Sequence, residues 1–114
     1  MARKRQLRPE LFQGEELMEV SAAAQWTFFG LLTQADDDGR LGDNGCLLNA
    51  DLWPLRPEHT AIEMARDLRE LIAAGLLCRY TAGSESLLHL IGFRSYQRSS
   101  GYSPSKRPAC PTHP

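Results

Sequence analysis

Residues 60–90 read TAIEMARDLRELIAAGLLCRYTAGSESLLHL, and this stretch decides the fold. Thr60 with Glu63 three residues later is a capping-box pattern, in which side chains and backbone at a helix start satisfy each other's hydrogen bonds. Ile62, Ala65, Leu68 and Ile72 recur at helical spacing and predict one apolar face. Gly75, after Ala73 and Ala74, suits the left-handed position just past the last turn. Leu76, Cys78 and Tyr80 then alternate with Leu77, Arg79 and Thr81, and Leu88 and Leu90 flank His89. With Gly83 in the turn between them, these are the two strands of a hairpin. Helix, glycine stop and hairpin make the back half of a winged helix-turn-helix, with a recognition helix followed by its wing.

Working outward, Ser21 caps a long apolar helix from Ala22 to about Ala35. Its Trp26, Phe28, Phe29, Leu31 and Leu32 cover more than one face, as expected of a central buried helix. Trp26 and Phe29, with Leu68 and Ile72, are the expected shared core. Asp36-Asp37-Asp38-Gly39 ends the helix. It lacks the alternating ligands and twelfth-position Glu of a calcium loop, and reads as a solvated turn. Arg40 and Leu41 form a short edge strand. Asp43 or Asn44 caps a brief helix through Cys46, Leu48 and Leu52, and Pro54 stops it. Upstream, Pro9 to Phe12 make a short helical turn, and Leu11, Phe12, Leu17 and Val20 are single anchors to the core. Downstream, Phe93 and Tyr96 add a last turn. The expected class is α+β, mainly helical, with a basic arm at 1–8, a winged-helix domain at 9–96 and a disordered basic Pro/Ser-rich tail at 97–114.

The net charge of −1 conceals an asymmetry: +4 over residues 1–8, −9 over 9–85 and +4 over 86–114. Basic ends flanking an acidic middle suggest arms for a polyanion, dispensable to the fold. Cys46, Cys78 and Cys110 are widely spaced and form no Cys/His motif along the chain, so neither a disulfide framework nor a metal site is expected. Cys46 and Cys78 read as core filler and Cys110 as an exposed thiol. No run is long enough to span a bilayer, and no apolar segment follows Arg3-Lys4-Arg5, so a cytoplasmic protein without a secretory signal is expected.

Several segments resemble a family. They are Met1 to Arg5, Gln34 to Arg40, Leu48-Asn-Ala-Asp-Leu-Trp-Pro54, Leu71 to Tyr80, Phe93-Arg-Ser-Tyr-Gln97 and Pro104-Ser-Lys-Arg-Pro108. Together they look like the N-terminal winged-helix domain of phage and prophage replication-initiation proteins of the helicase-loader type. The resemblance implies a DNA-binding or docking module in a bacterial host cell. Helicase loading belongs to a further C-terminal domain of longer relatives.

The chain carries none of the common nucleophile, zinc-protease, P-loop or dinucleotide signatures, so no catalytic residue, cofactor or metal is assigned. Double-stranded DNA is the expected partner, with a replication or regulatory protein as the alternative and no membrane. The expected contacts are Arg3, Lys4, Arg5 and Arg8 on the N-terminal arm and Arg98, Lys106 and Arg107 on the tail. Arg56 and Thr60 lead into the recognition helix, Arg66 and Arg69 lie on it, and Arg79 is on the wing. Glu63, Asp67 and Glu70 are expected to share the outer face of that helix and pair with the two arginines, which leaves the arms as the stronger electrostatic case. His59 and His89 are expected to be isolated. A transcriptional regulator is a further alternative.

Overall fold

In the computed structural model, which describes residues 2–97 and 101–113, the chain is an α+β fold with a three-stranded antiparallel sheet. A 3-10 turn over Pro9–Gln13 precedes α1 (Glu15–Met18), α2 (Ala22–Gln34), β1 (Arg40–Gly42), α3 (Gly45–Leu52), α4 (Ala61–Ala73), β2 (Leu77–Ala82), β3 (Glu85–Leu90) and α5 (Phe93–Tyr96).

The local signals work as their chemistry requires. Ser21 accepts from the Ala24 N–H at the start of α2, and Asn44 accepts from the Leu47 N–H at the start of α3. At α4 the Thr60 hydroxyl accepts from the Ile62 N–H, while Glu63 accepts from the Thr60 N–H at 2.8 Å. Gly75 follows α4 with φ +80°, the left-handed geometry that glycine adopts without a Cβ penalty. The sheet order is β1-β3-β2, with Leu41 opposite Leu88 and Leu77 opposite Leu90. These four side chains face the core together with Phe28, Leu31 and Leu32 of α2 and Met64, Leu68 and Leu71 of α4.

The predicted face of α4 is corrected. Ile62 is 76% exposed, and the buried stripe is Met64, Asp67, Leu68 and Leu71. This stripe also repeats at helical spacing, and it wins because a partner set inside the protein receives the Asp67 carboxylate (below). Trp26, expected in the core, is 60% exposed. Its indole Nε1–H donates to the Leu52 carbonyl at 3.0 Å, which lays the ring over the end of α3. Leu68 is buried as expected, whereas Phe29 and Ile72 are partly buried and pack against the core from its margin. Leu17 and Val20 anchor the N-terminal region, and Phe12 stays exposed beside the Phe29 ring.

Leu68→Ala should lower stability by about 2–5 kcal/mol, as for a buried leucine truncation. Ile62→Ala should change it by no more than about 0.5 kcal/mol. Urea denaturation of both variants checks the rotation of α4, and equal losses would refute it.

Candidate nucleic-acid interface

The outward face of α4 carries Ile62, Arg66, Arg69 and Ala73, all exposed. The three acids expected among them are occupied elsewhere. Glu63 belongs to the N-terminal cap. Glu70 accepts from the Ser21 N–H at 2.8 Å and the Ser21 hydroxyl at 3.1 Å, tying α4 to the start of α2. Asp67 is fully buried. Arg66 and Arg69 form no ion pair among the described residues, although Glu63 at the cap still interacts electrostatically with Arg66.

Asp67 is received by a polar network between α2, α3 and α4. Its Oδ2 accepts from the Thr27 hydroxyl at 2.7 Å and lies 2.7 Å from His59 Nε2. Thr27 in turn accepts from Trp53 Nε1–H at 2.9 Å. His59 Nδ1 lies 2.6 Å from Asn49 Oδ1, while the Asn49 amide donates to the His59 carbonyl. Both ring nitrogens thus have hydrogen-bond partners inside the protein. The ring stacks on Trp53 with centroids 3.7 Å apart and planes 5° from parallel. His59 is therefore not the isolated residue expected. The network is buried, and its role is to fix the turn between α3 and α4.

The acidic turn after α2 is likewise not a solvated one. Asp37 receives Arg3 at 2.9 Å, Arg5 at 3.2 Å and the Ser103 N–H at 2.9 Å. Asp38 accepts from Tyr102 and from the Ser105 N–H, and Asp36 from Arg107. Gly39 closes the turn at φ +80°, where a Cβ would lie 2.5 Å from that of Phe93. Arg5, with a side chain only 6% exposed, also donates to the carbonyls of Leu32 and Ala35 and lies over the Phe93 ring. It caps the C-terminal end of α2, where carbonyls lack intrahelical partners. Gln97 holds the N-terminal arm further by exchanging two hydrogen bonds with the Gln6 backbone.

The cationic candidates therefore divide. Arg3, Arg5 and Arg107 are bound to the acidic turn, and Arg79 pairs with Asp43 at 2.7 Å. Lys4, Arg56, Arg66, Arg69 and Lys106 are exposed, Arg8 is half-buried, and Thr60 is exposed at the helix start. Arg98 lies outside the described residues. The free-arm reading is corrected for a physical reason: the acidic middle of the chain binds its own basic ends. The tail reading changes too, since residues 101–113 run against the protein, with Tyr80 donating to the Pro108 carbonyl at 2.7 Å.

Two of the three cysteine assignments also reverse. Cys46 is exposed, Cys110 is buried, and Cys78 lies on the back of the hairpin with its sulfur 3.0 Å from that of Cys110. Burial works against ionisation of Cys110, but hydrogen bonds from Thr112, Cys78 and His113 outweigh it and bring its thiol down to about 5. Cys78, Cys110 and His113 are the donor set with metal-holding geometry among the described residues. Cys110 and His113 form a C-x-x-H pair, but Cys78, 32 residues upstream of Cys110, joins them only through the fold. Comparisons with protein-family models, with curated proteins and with solved structures found no match for this chain.

The Ser103 N–H holds the Asp37 carboxyl below its ordinary value of 3.8; burial opposes this, and Arg5 and Arg3 reinforce it. Because the folded-state value is the lower one, the clamp contributes fully above the ordinary value and is lost as pH falls through the folded one. Asp37→Asn should therefore be less stable than wild type at pH 7, with the two converging below about pH 4. Urea titrations at stepped pH measure this gap, and a gap that does not narrow in acid overturns the assignment.

Proposed function

We propose that this chain is a small winged-helix protein, without catalytic activity, that binds double-stranded DNA through the outward face of α4. Its proposed setting is phage or prophage replication initiation or its regulation, in a bacterial cytoplasm. The element order supports the winged-helix reading: helix, strand, two helices at a fixed turn, then a hairpin whose second strand pairs with the first strand of the domain. The likeness of Leu48 to Pro54 and of Leu71 to Tyr80 to the replication-initiation family supports the setting. The observation that carries DNA binding is that Asp67 is buried and Glu70 is held by Ser21, leaving Arg66 and Arg69 exposed together without an ion pair among the described residues. An α-helix fits the major groove, where arginine pairs with guanine edges or phosphates. Arg56 and Thr60 flank the start of the helix, and Lys4 and Lys106 add exposed charge. No helix among the described residues is long and apolar enough to cross a membrane.

Affinity for random-sequence duplex DNA should fall steeply with salt. Replacing Arg66 and Arg69 by Gln should shrink the log–log slope by about 2, at roughly 0.9 for each phosphate that is no longer neutralised. Fluorescence anisotropy across a salt series reads this directly. An unchanged slope removes α4 from the interface.

A second reading rests on a separate surface. Trp26, Leu52, Trp53, Pro54 and Leu55 line an apolar groove, with Leu55 88% exposed. Such a patch suits docking on a replication or regulatory protein. Absence of duplex binding even at low salt would favour that reading over the first.

A further inference from the structure

The second face of the sheet hairpin is covered by the C-terminal tail, and the covering brings three metal-binding side chains together with a fourth nearby. Cys78 on β2 and His89 on β3 are direct cross-strand partners and share a face. Across that face, Tyr80 and Leu87 pack with Cys110, while the Tyr80 hydroxyl holds the Pro108 carbonyl. These contacts deliver Cys110 to Cys78. The donor atoms of Cys78, Cys110 and His113 all lie within 4.8 Å of one another. Cys110 Sγ is 3.7 Å from His113 Nδ1. His89 is 8% exposed, its Nδ1 has no hydrogen-bond partner, and its ring centre is 6.4 Å from that of His113. A buried imidazole nitrogen without a partner is costly unless something completes its environment.

We infer that Cys78, Cys110 and His113 bind a zinc ion, with His89 supplying the fourth ligand, and that the ion fastens the tail to the back of the hairpin. Two thiolates and two imidazoles are the donor set of a closed tetrahedral structural site, and zinc is the cation that fits soft sulfur with nitrogen. Cys110 and His113 are separated by two residues, which lets one turn of chain offer both donors to one ion. Zinc–sulfur bonds of about 2.3 Å require the two sulfurs to part by less than ~1 Å from their present 3.0 Å. The Thr112 hydroxyl, 3.3 Å from Cys110 Sγ, is placed to hydrogen-bond a bound thiolate. His113 is exposed, which opens a route for the ion. The zinc links residues 32 apart, so its binding energy adds to the folding of the tail rather than of the helical core.

The test uses the full, tag-free chain kept reduced with a phosphine. One equivalent of Zn2+ should be retained through ultrafiltration, measured by atomic emission, and should raise the melting temperature. Co2+ in its place should give the visible bands of a tetrahedral ion together with thiolate charge transfer. His113→Ala changes an exposed residue and should fold, yet lose stoichiometric retention, as should Cys110→Ser. His89→Ala should weaken binding, and full retention by that variant removes His89 from the ligand set. Cys46→Ser, remote and exposed, should bind as wild type does. No retention by the reduced wild type overturns the site, as does a Cys78–Cys110 disulfide that accounts for the tail's attachment without metal. Retention at the wild-type level by both His113→Ala and Cys110→Ser would mark the bound ion as adventitious. None of these outcomes depends on DNA binding.

Discussion

A carboxylate inside the core governs how the outward face of α4 is displayed. Burying Asp67 without partners would cost several kcal/mol, and the fold meets this with the Thr27 hydroxyl and the His59 ring, each 2.7 Å from the same oxygen. Those partners come from α2 and from the turn before α4, so the hydrogen bonds lock the rotation of α4 against both. Turning the helix to bury Ile62 would put Met64 and Leu71 into water and strand the network. With the rotation fixed, Arg66 and Arg69 must point outward. The same network holds Trp53 under His59 and thereby sets the corner between α3 and α4.

Electrostatics in this chain is mainly intramolecular. The three aspartates after α2 draw in the N-terminal arm through Arg3 and Arg5 and the tail through Tyr102, Ser103, Ser105 and Arg107. Of these pairs Arg5–Asp37 is the buried one, and loss of either partner there is strongly destabilising. The acidic middle and basic ends are thus two halves of one clamp. Exposed cationic charge without an ion pair among the described residues includes Arg66 and Arg69 on α4, Arg56 before it, and Lys4 and Lys106 on the ends. Arg5 shows the shift in role most clearly: a basic-arm residue in sequence, it is a helix cap in space.

The hairpin works on both of its faces. Leu77, Leu88 and Leu90 close the main core, while Cys78, Tyr80, Leu87 and His89 form a second, smaller layer with the tail. An otherwise exposed sheet face is covered by a segment with little regular structure, held by Tyr80, by the acidic clamp and by the cysteine–histidine cluster. The proposed DNA-facing helix lies outside this layer, so attachment of the tail and DNA binding are separable properties.

By itself the sequence determined the elements. Capping residues at Ser21, Asn44 and Thr60, the left-handed glycine at 75 and the alternation from Leu76 to Leu90 act over a few neighbouring residues, and local chemistry is visible in a local string. The edge strand at Arg40 and Leu41 and the last turn at Phe93 were legible for the same reason. Tertiary structure decided everything that needed a partner distant in the chain. Two apolar-looking stripes on α4 were available, and only the presence of Thr27 and His59 chose the one containing Asp67. Trp26 reads as core by composition but lies on the surface, because its indole N–H found the Leu52 carbonyl at the rim. The arms read as free because their partners, Asp36, Asp37 and Asp38, are more than thirty residues away from Arg3 and farther still from Arg107. Cys78 and Cys110 carry no recognisable spacing, yet folding sets their sulfurs in contact. Hydrogen bonds and ion pairs between remote residues leave no periodic trace, so this part of the candidate surface could be found only once the chain was folded.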